Sequence, residues 1–229
     1  MLDSGFATSK TPALSPLPEA AFLFADIAGF TVLTEQHGDA HAAELAWRLR
    51  LGVEKQLGHD AHVVKMLGDA VMVRIADPAE AAATALRIVS CALPAVGDPP
   101  VRVGIHWGPA IECDGDFFGA AVNVAARVAS LAGPAEVLVT AEVAGAAQRH
   151  GLMLDERGEH ALRNVARPVC LHVVREAPQV QMPRQQTKRA RPRAARAGLW
   201  AAWDCRLRRA RRTPSWTLRA SEELVHARL

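Results

Sequence analysis

An apolar run, Phe22-Leu23-Phe24-Ala25, stops at a single carboxylate, Asp26, and Ile27-Ala28-Gly29-Phe30 then turns into a long helical pattern from Thr31. A run of Phe, Leu and Ala without polar alternation reads as a strand buried on both faces. Asp26 at its rim is therefore unusual, because a carboxylate leaving water needs a partner. It either caps the following helix, meets an arginine, or binds a metal ion.

A second stretch bears on that choice. In His62-Val63-Val64-Lys65-Met66-Leu67-Gly68-Asp69-Ala70-Val71-Met72-Val73-Arg74-Ile75, two apolar, β-branched runs flank Gly68-Asp69. Two turn residues between such runs predict a tight hairpin. With the order strand, helix, hairpin, helix, strand, the sheet is of the split βαβ type. The first strand then lies antiparallel to the second arm of the hairpin, so Asp26 at its end sits beside Asp69 in the turn. Two carboxylates next to a turn with free N–H groups suit a hard divalent cation, and a phosphate held through it.

Three blocks carry a resemblance. Phe24-Ala25-Asp26-Ile27-Ala28-Gly29-Phe30-Thr31, Lys65-Met66-Leu67-Gly68-Asp69-Ala70, and Gly115-Asp116-Phe117-Phe118-Gly119-Ala120-Ala121-Val122-Asn123-Val124-Ala125-Ala126-Arg127 resemble, in order and spacing, the signature blocks of the class III nucleotide cyclases. The likeness covers about residues 20 to 175. It implies an α+β fold, a ferredoxin-like split βαβ sheet with added C-terminal strands. It also implies two divalent ions per site, Mg²⁺ or Mn²⁺, on Asp26, Asp69 and the backbone carbonyl of Ile27, with the amides of the Ile27 to Phe30 turn donating to phosphate. Asn123 and Arg127 match the pair that orients the ribose and stabilises the pentavalent phosphate. A planar, permanently charged guanidinium suits that task.

Lys65 and Asp116 match the pair that reads the purine. A donor and an acceptor complement the edge of adenine, whereas guanylate-making relatives carry an acid and a small residue there. ATP is the implied substrate, with guanylate or mixed specificity as the enzymatic alternative and a catalytically idle nucleotide-binding module as the other. Arg163 falls where relatives carry a basic residue that reaches the terminal phosphates. The resemblance further implies a head-to-tail homodimer with shared sites. One chain supplies Asp26 and Asp69, the other Lys65, Asp116, Asn123 and Arg127.

Between the blocks, periodicity predicts one helix from Thr31 to about Leu57, its buried stripe including Leu33, Ala40, Ala43, Leu45, Ala46, Leu49 and Val53. A helix from Pro78 to Leu93 follows, capped by Asp77 with Pro at its first turn. Strands are expected at Val101 to Trp107, Ala110 to Cys113, Glu136 to Thr140, Leu152 to Leu162 and Val169 to Val174, with helices at Gly119 to Leu131 and up to Gln148. The arm near Cys113 is short, its connection through Asp114-Gly115 tight.

Residues 1–19 read as a flexible leader, 20–176 as the cyclase-like domain and 177–229 as a disordered basic tail. Between Arg184 and Arg212 eleven Lys or Arg face one acid, Asp204, a net of +10 that leaves the first 183 residues at −7. Arginines with Trp200 and Trp203 suit nucleic acid or an anionic membrane surface equally. No stretch approaches the ~20 apolar residues of a membrane span. Four cysteines without a Cys-x-x-Cys pair read as isolated core residues of a reduced, cytoplasmic protein.

Overall fold

The computed structural model describes residues 15–16 and 18–176, so the basic tail lies outside the described residues. Its strands and helices are β1 (Ser15–Pro16), β2 (Ala20–Ile27), α1 (Phe30–His37), α2 (Asp39–Glu54), β3 (Ala61–Leu67), β4 (Ala70–Ile75), α3 (Pro78–Cys91), β5 (Val101–Gly108), β6 (Ile111–Cys113), β7 (Asp116–Phe118), α4 (Ala120–Leu131), β8 (Val137–Thr140), α5 (Ala141–Arg149), β9 (Met153–His160) and β10 (Val169–Arg175). A seven-stranded sheet runs β3-β4-β2-β5-β8-β10-β9, and β1-β6-β7 form a small second sheet. Only the β5–β8 pair of the large sheet is parallel, and β2 lies antiparallel to β4 as the split βαβ topology requires.

The unalternating run is indeed a strand with both faces covered. Ala21, Leu23, Ala25 and Ile27 pack with Leu45, Leu49 and Val53 of α2, Ala82, Ala85 and Ile88 of α3, and Val143 and Ala147 of α5. Ala20, Phe22 and Phe24 face the other way, onto Phe117 of the small sheet and onto Ala121, Ala125 and Ala129 of α4. Period-two alternation thus feeds two apolar clusters from one strand.

Helix α4 lies unusually close to β5. A Cβ on Gly104 would fall 2.0 Å from the backbone N of Ala129, so only glycine admits the helix at this depth. This seat fixes where the outward residues of α4, Asn123 and Arg127, stand. At α3, Asp77 accepts from Ala79 N and Glu80 N, both at 2.8 Å, with Pro78 opening the helix as expected.

Several expectations need correction. The single helix from Thr31 to Leu57 is two, because Gly38 adopts φ 82°, ψ 165° and ends α1 by donating to Thr34 O. The break resets the helical phase: Ala42 is buried, while Ala40 and Ala43, assigned to the buried stripe, are exposed. Ser15–Pro16, inside the stretch read as leader, pair with Glu112 and Ile111. Asp116–Phe118, read only as a motif, form a strand paired with β6 through Asp114 and Gly115, both at positive φ. The described cysteines are not core residues either: Cys91 is exposed and Cys113 and Cys170 are half-buried, while Cys205 lies outside the described residues.

Candidate active site

The acidic corner is built by strand register. Asp26 stands opposite Arg102 in the β2–β5 ladder, and Arg102 donates to Asp26 Oδ2 from Nε at 2.8 Å and from Nη2 at 2.5 Å. Arg102 Nη1 also reaches Ser130 O at the end of α4, at 3.4 Å. The Arg102 partnership is one of the alternatives open for Asp26 from sequence, and it does not exclude the other. Gly68, at φ 65° in the first position of the two-residue β3–β4 turn, aims Asp69 back at the same corner, where the Asp69 carboxyl meets that of Asp26.

The meeting is costly for Asp69. Burial comes first, then the hydrogen bond and negative charge of Asp26, and together they push its carboxyl up to about 7, with Arg102 acting weakly against them. Two carboxylates in contact, one of them driven towards its protonated form, are a donor set short of positive charge. Arg102 alone does not supply it. Hard oxygen donors in this state fit divalent cations of the Mg²⁺ or Mn²⁺ type. Among the described residues no three side chains of His, Cys, Asp or Glu gather to hold a metal ion, so the side-chain donors at this corner are the two carboxylates.

Beside this corner, Gly29 at φ 77° starts α1. The amide of Ala28 donates to Pro100 O at 2.9 Å, which removes it from the phosphate donors expected of the Ile27 to Phe30 turn. The first-turn amides from Phe30 onward have no acceptor within the helix and carry the positive end of its dipole. The Phe30 ring packs on the main core, so Phe30 offers a ligand its backbone rather than its ring.

A second cluster joins β3 to β7. Lys65 Nζ donates to Asp116 Oδ2 at 2.6 Å, and Asp116 Oδ1 accepts from Phe117 N at 2.7 Å. Burial raises the Asp116 carboxyl, but the hydrogen bonds from Lys65 and Phe117 and the Lys65 charge outweigh it and hold it below its ordinary value. A third pair lies on α4, where Arg127 Nη1 donates to Asn123 O at 2.9 Å. Arg163 is exposed on the β9–β10 connection next to Asn164, which has φ 58°.

Among the described residues, no hydrogen bond or ion pair joins the Asp26–Asp69 corner, the Lys65–Asp116 pair, the Asn123–Arg127 pair and Arg163 to one another. Sequence reasoning missed Arg102 and Phe118. Arg102 was legible: Val101, Val103 and Ile105 share one face, which leaves Arg102 on the opposite face, the one that Asp26 shares.

The chain is 36% identical over 168 residues to a pH-sensitive adenylate cyclase of Mycobacterium tuberculosis, an alignment spanning 70% of this chain and 42% of that protein. It is 36% identical over 129 residues to an adenylate cyclase of Streptomyces griseus, 56% of this chain and 32% of that one. The chain thus spans well under half the length of these relatives. In fold it is similar to the adenylyl cyclase CyaB from P. aeruginosa, with a TM-score of 0.61, 22% identity, and coverage of 73% of this chain and 98% of that one. The profile of the Adenylate and Guanylate cyclase catalytic domain matches residues 14–175, and the chain belongs to that family.

Proposed function

We propose that this chain is an adenylate cyclase. It converts ATP to 3′,5′-cyclic AMP and pyrophosphate: the ribose 3′-oxygen, giving up its proton to solvent, attacks the α-phosphorus in line while the bond to the pyrophosphate oxygen breaks. The observation that carries the reading is the meeting of Asp26 and Asp69 at one corner, where burial, and after it the hydrogen bond and charge of Asp26, push the Asp69 carboxyl up to about 7. Two divalent cations held by Asp26, Asp69 and the Ile27 carbonyl would neutralise the triphosphate and make the ribose hydroxyl easier to ionise.

The remaining steps fall to the chain's own groups. First-turn amides of α1, beginning at Phe30, receive phosphate oxygens. Asn123 orients the ribose, and Arg127 stabilises the charge that builds on the pentavalent phosphorus. Arg163 takes the terminal phosphates as they leave. Lys65 donates to the adenine ring and Asp116 accepts from its amino group, a pairing that leaves guanine with unmatched groups.

A head-to-tail homodimer brings the sets together. It is supported by the absence, among the described residues, of any hydrogen bond or ion pair between the sets, and by large apolar side chains left exposed on the elements that carry them: Val32 at 55%, Leu67 at 49% and Leu131 at 41%. Apolar surface of this kind favours cover by another protein surface. The domain reading, residues 20–176 as the catalytic unit, belongs to the same proposal.

The Arg102–Asp26 pair favours one rival, a nucleotide-binding module without turnover, because it already meets part of the charge demand at Asp26. One assay separates them. The full chain is incubated with Mn²⁺ and either ATP or GTP, and cyclic products are quantified. Cyclic AMP in excess of cyclic GMP is the expected result; no cyclic product from either nucleotide overturns the proposal.

A further inference from the structure

Strand β7 sorts its three side chains by direction. Phe117, 3% exposed, anchors the arm by packing on Phe22, with ring centroids 5.7 Å apart. Asp116 and Phe118, two residues apart, share the other face of the strand. Phe118 is 51% exposed, so the anchoring core does not account for it. Its ring lies under Lys65, with Nζ 5.4 Å from the centroid, while the same Nζ is 2.6 Å from Asp116. One ammonium is therefore held from two sides by one short strand. An exposed lysine otherwise samples many rotamers, and an aromatic face within about 6 Å of a cation restricts them.

We infer that Phe118 is a positioning residue that determines nucleotide specificity: its ring holds the Lys65 ammonium in register with Asp116, so that the pair meets a purine as a fixed donor and acceptor. This rests on the reading of Lys65 and Asp116 as the base-contacting residues. An ammonium has three N–H groups; one serves Asp116, and the aromatic face, which accepts no full hydrogen bond, leaves the others for the base. Without the ring, Lys65 keeps its charge and its partner but loses its direction. A freely moving donor can follow the ring acceptor of adenine or the carbonyl oxygen of guanine, so discrimination falls while the pocket remains.

The test compares Phe118→Leu, Phe118→Trp and Lys65→Ala with wild type in the full chain. The readout is the ratio of kcat/KM for ATP to that for GTP, with kcat and KM separated and the dimer fraction measured by sedimentation. Phe118→Leu keeps an apolar side chain but removes the π face, and should lower the ratio about fivefold, mainly through KM for ATP. Phe118→Trp keeps an aromatic face and should retain the wild-type ratio. Lys65→Ala should lower the ratio at least as far as Phe118→Leu.

A ratio unmoved by Phe118→Leu but reduced by Lys65→Ala overturns the inference and leaves the base-reading assignment standing. A ratio unmoved by Lys65→Ala overturns that assignment itself. A Phe118→Leu variant that loses dimer and uses both nucleotides equally less well shows a subunit contact instead, and also overturns the inference. Where no cyclic product forms, the dissociation constants of ATP and GTP with Mn²⁺ supply the ratio, and each outcome supports or overturns the inference in the same way.

Discussion

The two charged corners of this domain are opposites. At the β2–β4 corner, Asp26 and Asp69 meet as like charges, and only Arg102 offsets them. At the β3–β7 corner, Lys65 and Asp116 form a closed pair of opposite charges, and the carboxyl is held below its ordinary value. Yet both are set by the same device, a tight hairpin with a glycine at positive φ: Gly68 beside Asp69 and Gly115 beside Asp116. The difference teaches what each corner asks of a ligand. The first is short of positive charge, which on the proposed reading bound cations would supply. The second is complete alone, so on the proposed reading a nucleotide base would compete with an existing ion pair, which favours selectivity over affinity.

The sharpest way to break the comparison is to remove the acidic corner. Asp26→Ala or Asp69→Ala should lower turnover by roughly 10³-fold or more, since several kcal/mol of transition-state stabilisation depend on the charge held there. Circular dichroism should show the fold intact, because neither side chain belongs to the apolar cores. Turnover within tenfold of wild type in either variant would remove the corner from the mechanism.

Mixing variants tests whether the corners meet across two chains. Asp26→Ala and Arg127→Ala chains are each expected to be inactive. A random mixture should recover about a quarter of wild-type activity per site, because half the dimers are mixed and each of those holds one intact site. If mixed dimers form and the mixture stays inactive, the site is not shared in the way proposed.

The base corner should respond by tens of fold rather than thousands. Lys65→Glu combined with Asp116→Cys should lower the preference for ATP over GTP by at least ~10-fold, because the polar groups matched to adenine are gone. Relative kcat/KM for both nucleotides is the measurement. Equal use of GTP by the wild-type chain would show that this pair does not select the base.

The two corners also differ in how far they were legible. β2 was readable because its unbroken apolar run, Ala20 to Ala25, six positions that are all buried, leaves no half-exposed alternative, and Gly68-Asp69 because two turn residues between β-rich runs admit one hairpin. Asp26 and Asp69 therefore met as expected. Phe118 was not legible, since its meaning depends on Lys65, 53 positions away, across two separate sheets. The helix break at Gly38 was missed for another reason. A lone glycine costs a helix only about 1 kcal/mol, and periodicity on each side remained plausible, so its positive φ is a tertiary result. The alternation of Val101, Val103 and Ile105 puts Arg102 on the face opposite theirs, but its pairing with Asp26 needed register, which a single strand's pattern does not contain.

The smallest expected effect concerns stability, and it contrasts the corners directly. Asp69 has its carboxyl raised from 3.8 to about 7 in the folded chain. Between those values the folded state binds more protons than the unfolded one, so the Asp69 contribution to stability falls as pH rises from about 4 to about 7. Asp116 has the opposite sign: its carboxyl is held down, so its contribution is present above the ordinary carboxylate range and is lost as pH falls below it. Over pH 5 to 8 the metal-free protein should therefore register Asp69 and not Asp116. Because Asp69 is only part-buried, solvent screening limits the effect to the order of 1 kcal/mol, or about 2–4 °C in Tm for a domain of this size. Asp69→Asn should flatten the Tm profile by that amount and raise Tm at pH 8, whereas Asp116→Asn should shift the profile down without changing its slope. Mn²⁺ should raise the wild-type Tm most at pH 8, above the raised value of Asp69, and should do little to Asp69→Asn. Parallel profiles for wild type and Asp69→Asn would show that the two carboxylates do not strain one another in solution, and the contrast between the corners would fall.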